Sequence, residues 1–268
     1  MGKYNQSENS RLTRMVCGLL LLCSVTSASA FTPENGWWWN QQEAGRGFNL
    51  EIQNGTVFLA TFIYNEAGNA IWYTGSGQLN ANNTVTLDLA EFSNGQCIQC
   101  AYQGPDVVGT VETATIRFTS SSRAELNWSG GTVALQRFNF SLGETRQQQL
   151  IGEWALVAGS SSFPAYTGDR ITLTGLQQSD TLDVIGYRTG NTNAKISVFD
   201  TTANPINGYT LSGFMSTNLS TLRAYAFNLS GLNRIEGVTV DVSSDASAEE
   251  ITQALSTQGV PFIGFRIN

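Results

Sequence analysis

From Arg46 onward the chain alternates apolar and polar positions in short runs, broken by turn residues roughly every ten residues. In Arg46 to Gln53, Phe48, Leu50 and Ile52 share one face, while Asn49, Glu51 and Gln53 take the other. Asn54-Gly55 follows; both residue types accept positive φ, which makes this the strongest hairpin signal in the sequence. The next run, "TVFLATFIY", is apolar on both faces, with Val57, Leu59 and Ile63 against Phe58, Phe62 and Tyr64. That pattern predicts a strand covered on both sides. "NEAGN" gives a turn with Gly68 in the left-handed region, and "AIWYTGSG" resumes the strand pattern.

Further strands are predicted over 84–92, 108–118, 123–128 and 132–140. With Trp37–Trp39 they make about eight strands joined by short turns, and no helix-length periodicity interrupts them. The predicted class is therefore all-β. A consecutive meander of that size protects its edges by closing into an antiparallel up-and-down barrel or a tight two-sheet sandwich.

The polar stretch "SLGETRQQQL" (141–150) is read as a linker between a first unit, 31–140, and a second, 151–268. The second unit is again β-rich, with runs such as "IGEWALV", "RITLTGL", "TLDVIGYR", "AKISVFD" and "PFIGFRI". One helix is predicted near 247–257: Ser247 to Glu250 form a capping box, Ile251 and Leu255 are an i, i+4 apolar pair, and Gly259 closes it. Both units open with a glycine followed closely by tryptophan (Gly36-Trp37, Gly152-Glu153-Trp154), a hint of a repeated module.

The first thirty residues read as an export signal. Lys3, Arg11 and Arg14 precede the apolar run Met15 to Val25, and Ala28-Ser29-Ala30 supplies a cleavage site before Phe31. The apolar run is too short to span a bilayer, which needs roughly 18 residues. The mature chain is thus expected to be periplasmic or secreted, without a transmembrane segment. Cleavage removes three cations and one anion, so the 14 Lys and Arg and 21 Asp and Glu become 11 and 20, a net charge near −9. An acidic chain without a basic cluster argues against nucleic acid and against anionic membrane as partners. The sequence has no histidine, which removes Ser-His-Asp and Cys-His nucleophile systems and histidine-based zinc sites. No cofactor, metal or catalytic residue is predicted.

Residues 36–79 resemble a module of exported proteobacterial proteins. The likeness rests on Gly36 through Trp38, Glu43 through Phe48, Tyr64 with Gly68, and Trp72-Tyr73, and it extends to about residue 140. It implies an extracytoplasmic β-rich module and carries over no catalytic residues. A second likeness is to lipocalin- and avidin-type barrels, in which a Gly-x-Trp opens the first strand; in lipocalins a late-strand arginine packs over that tryptophan. Arg137 is placed to do so here.

The candidate ligand residues are Trp37, Trp38, Trp39, Arg46, Trp72 and Tyr73. On a strand, Trp37 and Trp39 point one way and Trp38 the other. Burying one indole is worth up to ~4–6 kcal/mol, comparable with a domain's net stability, so at least one face of the triplet must pack inside. The uncovered face suits sugar rings or other flat apolar groups. Glu43 and Arg46, among glycines, read as a tight turn with a local ion pair or an arginine-over-tryptophan stack, or as an anion clamp. Cys97 and Cys100 are the only cysteines after cleavage; in an oxidising compartment they predict a disulfide, with metal or partner-chain ligation and redox chemistry as the alternatives. The expectation is an exported, non-catalytic binding protein for a glycan, a hydrophobic small molecule or a protein. The alternatives are a glycan-active enzyme using carboxylates such as Glu51, Asp88, Glu112 and Glu125, and a purely structural envelope protein.

Overall fold

The computed structural model describes residues 31–159, 167–178 and 182–267; the export signal expected over 1–30 lies outside them. The chain forms two closed antiparallel barrels of eight strands, within one compact unit spanning Thr32–Asn268. The first runs through β1 (Gly36–Trp39), β2 (Gly47–Gln53), β3 (Thr56–Tyr64), β4 (Ala70–Gln78), β5 (Thr84–Ser93), β6 (Asp106–Ser120), β7 (Arg123–Trp128) and β8 (Gly131–Arg137). Each strand pairs with its successor, and β8 returns to β1 through Trp38↔Arg137 and Trp39↔Gln136. The hairpin at Asn54-Gly55 forms as predicted, with φ of 54° and 81° and the flanking pair Gln53↔Thr56. Gly68 also takes the left-handed conformation, at φ 79°.

Alternation fills the interior. Trp38, Phe48, Leu50, Leu59, Leu87, Leu89, Ile116 and Leu126 are fully buried and form a packed centre. The expectation that β3 is covered on both sides is corrected. Val57 and Leu59 are inside, but Phe58, Phe62 and Tyr64 are 43%, 47% and 60% exposed. A closed barrel has a single inside, so the outer face of a strand gains cover only where another element packs on it.

The second barrel runs through β9 (Gly152–Ala158), β10 (Thr167–Gln178), β11 (Leu182–Arg188), β12 (Asn191–Asp200), β13 (Leu211–Ser216), β14 (Thr221–Leu229), β15 (Arg234–Ser243) and β16 (Val260–Arg266), with β16 closing on β9. Its core gathers Trp154, Ile171, Val184, Met215, Tyr225 and Phe262. The stretch read as a linker carries a short helix, α1 (Arg146–Leu150), with a capping box between Thr145 and Gln148. Its Leu150 is buried in the second core.

Helix α2 (Ala248–Gln258) begins at the predicted Ser247–Glu250 capping box. Ile251 and Leu255 pack on Ala224 and Ala226 of β14, with Val238 and Val240 of β15 alongside. Gly259 closes the helix as predicted, with φ −58°, outside the left-handed region. Its role is space: a Cβ there would lie 2.4 Å from the Leu255 carbonyl oxygen and 2.9 Å from Val238 Cβ.

The two barrels meet at Glu34. Its Oε1 accepts from the backbone N–H groups of Leu232 and Asn233, both at 2.9 Å, in the β14–β15 turn. Its own N–H donates to the Ser121 carbonyl of the first barrel at 2.8 Å.

Candidate functional site

Strand pairing assembles a row of aromatic rings on the outside of the first barrel. Trp37 leaves the outer face of β1 and crosses β2 at Gly47, where a Cβ would fall 2.1 Å from the indole Cζ2. Only a glycine lets the ring lie across that strand. Trp37 then stacks on Phe62 of β3, with centroids 5.4 Å apart and planes 28° apart. Phe62 is the cross-strand partner of Trp72 on β4. Trp72 in turn stacks on Phe92 of β5, at 5.2 Å and 11°. Four rings thus span five strands, and Phe62 and Trp72 at the centre are 47% and 44% exposed.

A notch of about 150 Å³ opens beside the row, lined by Gly45, Phe62, Ile63, Tyr64, Ala70, Ile71 and Trp72. Gly45 brings the Glu43–Arg46 turn to its rim. Both local contacts expected of Arg46 are present: it pairs with Glu43, and its guanidinium carbon lies 5.8 Å from the Trp128 ring centroid. Tyr73 lies on the opposite face of β4 from Trp72 and pairs with Glu91 across the strands. Burial, with the Glu91 charge adding to it, raises the Tyr73 phenol above its ordinary value.

The tryptophan triplet splits as its alternation predicts. Trp38 is fully buried, its Nε1–H donates to the Glu34 carbonyl at 3.1 Å, and its ring meets Phe118 edge-on at 5.7 Å. Trp39 leaves on the outer face but joins a different group, edge-on to Phe138 at 4.7 Å. Of the six candidates, then, the structure unites Trp37 and Trp72 in one surface, sets Arg46 near its rim, and places Trp38, Trp39 and Tyr73 elsewhere. Phe62 and Phe92 complete the surface. They share the outer parity of their strands, and only register reveals them as neighbours.

The strand carboxylates each engage a neighbour of their own. Glu51 accepts from Asn35 and Gln53, Asp88 from Thr113, and Glu125 pairs with Arg117 at 2.7 Å. Glu112 accepts from Ser129, and that hydroxyl holds its carboxyl below the usual carboxylate range. Cys97 and Cys100 are joined by a disulfide in the exposed β5–β6 loop, with Cα atoms 5.1 Å apart. Among the described residues, no group of three or more His, Cys, Asp or Glu side chains could hold a metal ion, and no helix is long and apolar enough to cross a membrane.

A charged group closes the end of the second barrel away from Trp154. Asp169 bridges Arg188 at 2.6 Å and Arg223 at 2.7 Å, and Arg223 makes a two-point contact with Asp241 at 2.6 and 2.8 Å. Asp169 is almost wholly buried, and burial with that negative neighbour pushes the Tyr225 phenol up. Each carboxylate here faces a guanidinium, so the group is neutralised from within. No family model, curated protein or solved structure matches this sequence.

Proposed function

We propose that the protein is an exported, non-catalytic binding protein, and that the outer aromatic row of the first barrel is its ligand face. The observation that carries this reading is the continuous Trp37–Phe62–Trp72–Phe92 surface, whose two central rings are nearly half open to solvent. A contiguous exposed apolar patch forgoes burial energy, and on soluble proteins such patches coincide with interaction sites. A neutral glycan fits this best: the C–H face of a pyranose ring is apolar and flat, and its hydroxyls can reach the polar groups of the Glu43–Arg46 turn. The acidic mature chain disfavours anionic polysaccharides.

The test is a titration of the mature protein with neutral and acidic oligosaccharides, followed by tryptophan fluorescence and by calorimetry. Neutral oligosaccharides are expected to bind, and Trp72→Ala or Phe62→Ala is expected to weaken binding at least tenfold while Trp39→Ala leaves it intact. Absence of binding by every oligosaccharide, with Trp72 shielded from a soluble quencher, would replace this reading with a structural role in the envelope.

A further inference from the structure

The second barrel carries a separate cleft outside its wall. Strand β13 turns Leu211 and Met215 into the barrel core, and Ser212 and Phe214 to the outside. On β12, Phe199 pairs with Ser212 and its ring lies 5.3 Å from that of Phe214. Helix α2 packs over β14 and β15, so the outer face of β12 and β13 is left as the floor of a groove. Ile251, Thr252 and Leu255 of α2 form one wall and the turn Ala203–Ile206 the other, around a volume of about 480 Å³. That lies within the range of small-molecule sites, about 300–1,000 Å³.

Two features define what fits. First, the lining is mainly aliphatic and aromatic and contains no charged side chain. Second, Ser212 is 2% exposed and its Oγ makes no hydrogen bond among the described residues. The other two lining hydroxyls are engaged, that of Thr252 with the Ala248 carbonyl at 2.8 Å and that of Thr201 with the Tyr209 carbonyl at 3.5 Å. A buried hydroxyl without a partner is costly, and Ser212 stands in the lining of this groove, where a small turn of its side chain would bring Oγ to a bound oxygen.

We propose that this groove binds a neutral, largely apolar small molecule that carries one hydrogen-bonding oxygen, which pairs with Ser212 Oγ. A long-chain alcohol, ester or ketone has this chemistry. A fatty-acid anion does not: the lining offers no cation, and Glu249 and Glu250 in the first turn of α2 oppose negative charge at the helix end of the groove. The site is distinct from the aromatic row of the first barrel and does not depend on it.

The experiment uses the mature full chain and the neutral fluorescent probe N-phenyl-1-naphthylamine. Probe fluorescence is expected to rise on binding and to be displaced by dodecanol at least tenfold more effectively than by laurate at pH 7.5. Ala203→Trp, on an exposed turn, fills the groove and is expected to abolish probe binding, whereas Trp72→Ala leaves it unchanged. Ser212→Val keeps the shape and removes the hydroxyl, and is expected to weaken dodecanol about 2- to 12-fold, the worth of one hydrogen bond. Circular dichroism checks each fold, and Ala248→Leu serves as the blocking variant if Ala203→Trp does not fold. No probe binding, binding unaffected by the folded blocking variant, or equal displacement by laurate would overturn the assignment.

Discussion

Arg266 lies 4.4 Å from the centroid of the Trp154 ring and donates to the carbonyls of Ile151 at 2.7 Å, Leu232 at 3.2 Å and Gln149. It stands on the last strand of the second barrel and Trp154 on the first, paired in register. The first barrel repeats the register and the carbonyl contacts with Trp38↔Arg137, where Arg137 Nη1 donates to the carbonyls of Trp37 and Phe138. Each tryptophan follows a glycine two residues earlier at positive φ, Gly36 at 117° and Gly152 at 136°. Each indole N–H donates to the carbonyl four residues before it, Glu34 or Leu150. One fork of donors thus ties together carbonyls at a barrel end, and in the second barrel those of Gln149, Ile151 and Leu232 lie outside the strands. Arg266→Leu is expected to cost about 2–4 kcal/mol in urea unfolding, because those carbonyls lose their donor as well as the ring its cation. Arg266→Lys is expected to recover only part of this, since an ammonium cannot reproduce the planar fork. Equal stability of the leucine variant would refute the closing role.

The tryptophan triplet makes a second, internal comparison. Trp38→Ala removes a fully buried indole and is expected to destabilise by about 3–5 kcal/mol. Trp72→Ala, on a ring that is 44% exposed, is expected to cost under about 1 kcal/mol and yet to be the variant that loses ligand. Parallel urea melts measure both. If Trp72→Ala proves the more disruptive, the outer row is structural rather than a ligand face.

That comparison also marks what the sequence could convey. The strands of the first barrel were legible, because inward and outward positions alternate and turn residues such as Asn54-Gly55 separate them, and so was the β-rich character of the second. So was α2, through Ser247, Glu250, Ile251 and Leu255. The outer side of β3 was not, because Phe58, Phe62 and Tyr64 are as apolar as the inward set, and composition alone assigned them cover. The aromatic row was hidden for a related reason. Trp37, Phe62, Trp72 and Phe92 become neighbours only through lateral register and the bare backbone at Gly47, which no single strand displays. Helix α1 is too short for a periodic pattern, though its Thr145–Gln148 capping box was there to be read. Burial of Ser212 depends on α2 packing from some forty residues downstream, beyond the reach of any local pattern.

The charged closure of the second barrel predicts an asymmetric response to mutation. Asp169 is 3% exposed and depends on Arg223 and Arg188 for compensation, while Arg188 is itself 43% exposed. Removing Arg223 therefore leaves a buried carboxylate with one half-exposed partner. Arg223→Met is expected to cost about 3–5 kcal/mol, the range for breaking a buried ion pair. The double variant Arg223→Met with Asp169→Leu is expected to recover most of that loss, since the uncompensated charge is gone. Additive losses in thermal or urea unfolding would show that the two side chains act independently.

The buried carboxyl of Glu34 predicts that the contact between the barrels responds to pH. Burial raises its carboxyl above the ordinary glutamate value, against the opposing effects of the Asn233 and Leu232 N–H groups and of the charges on Arg137 and Arg266. An acid whose folded pKa exceeds its unfolded one binds more protons when folded, so stability falls as pH rises through the interval between the two. Glu34→Gln mimics the protonated form and keeps a carbonyl oxygen for Leu232 and Asn233. The stability of the native chain relative to this variant is therefore expected to decline as pH rises from about 4.5 toward neutrality, and to level off above the folded pKa. Thermal unfolding of both proteins across pH 4 to 8 measures the difference directly. A native-minus-variant difference that instead grows with pH would mean that the N–H groups and arginines outweigh burial, and that the ionised carboxylate holds the barrels together.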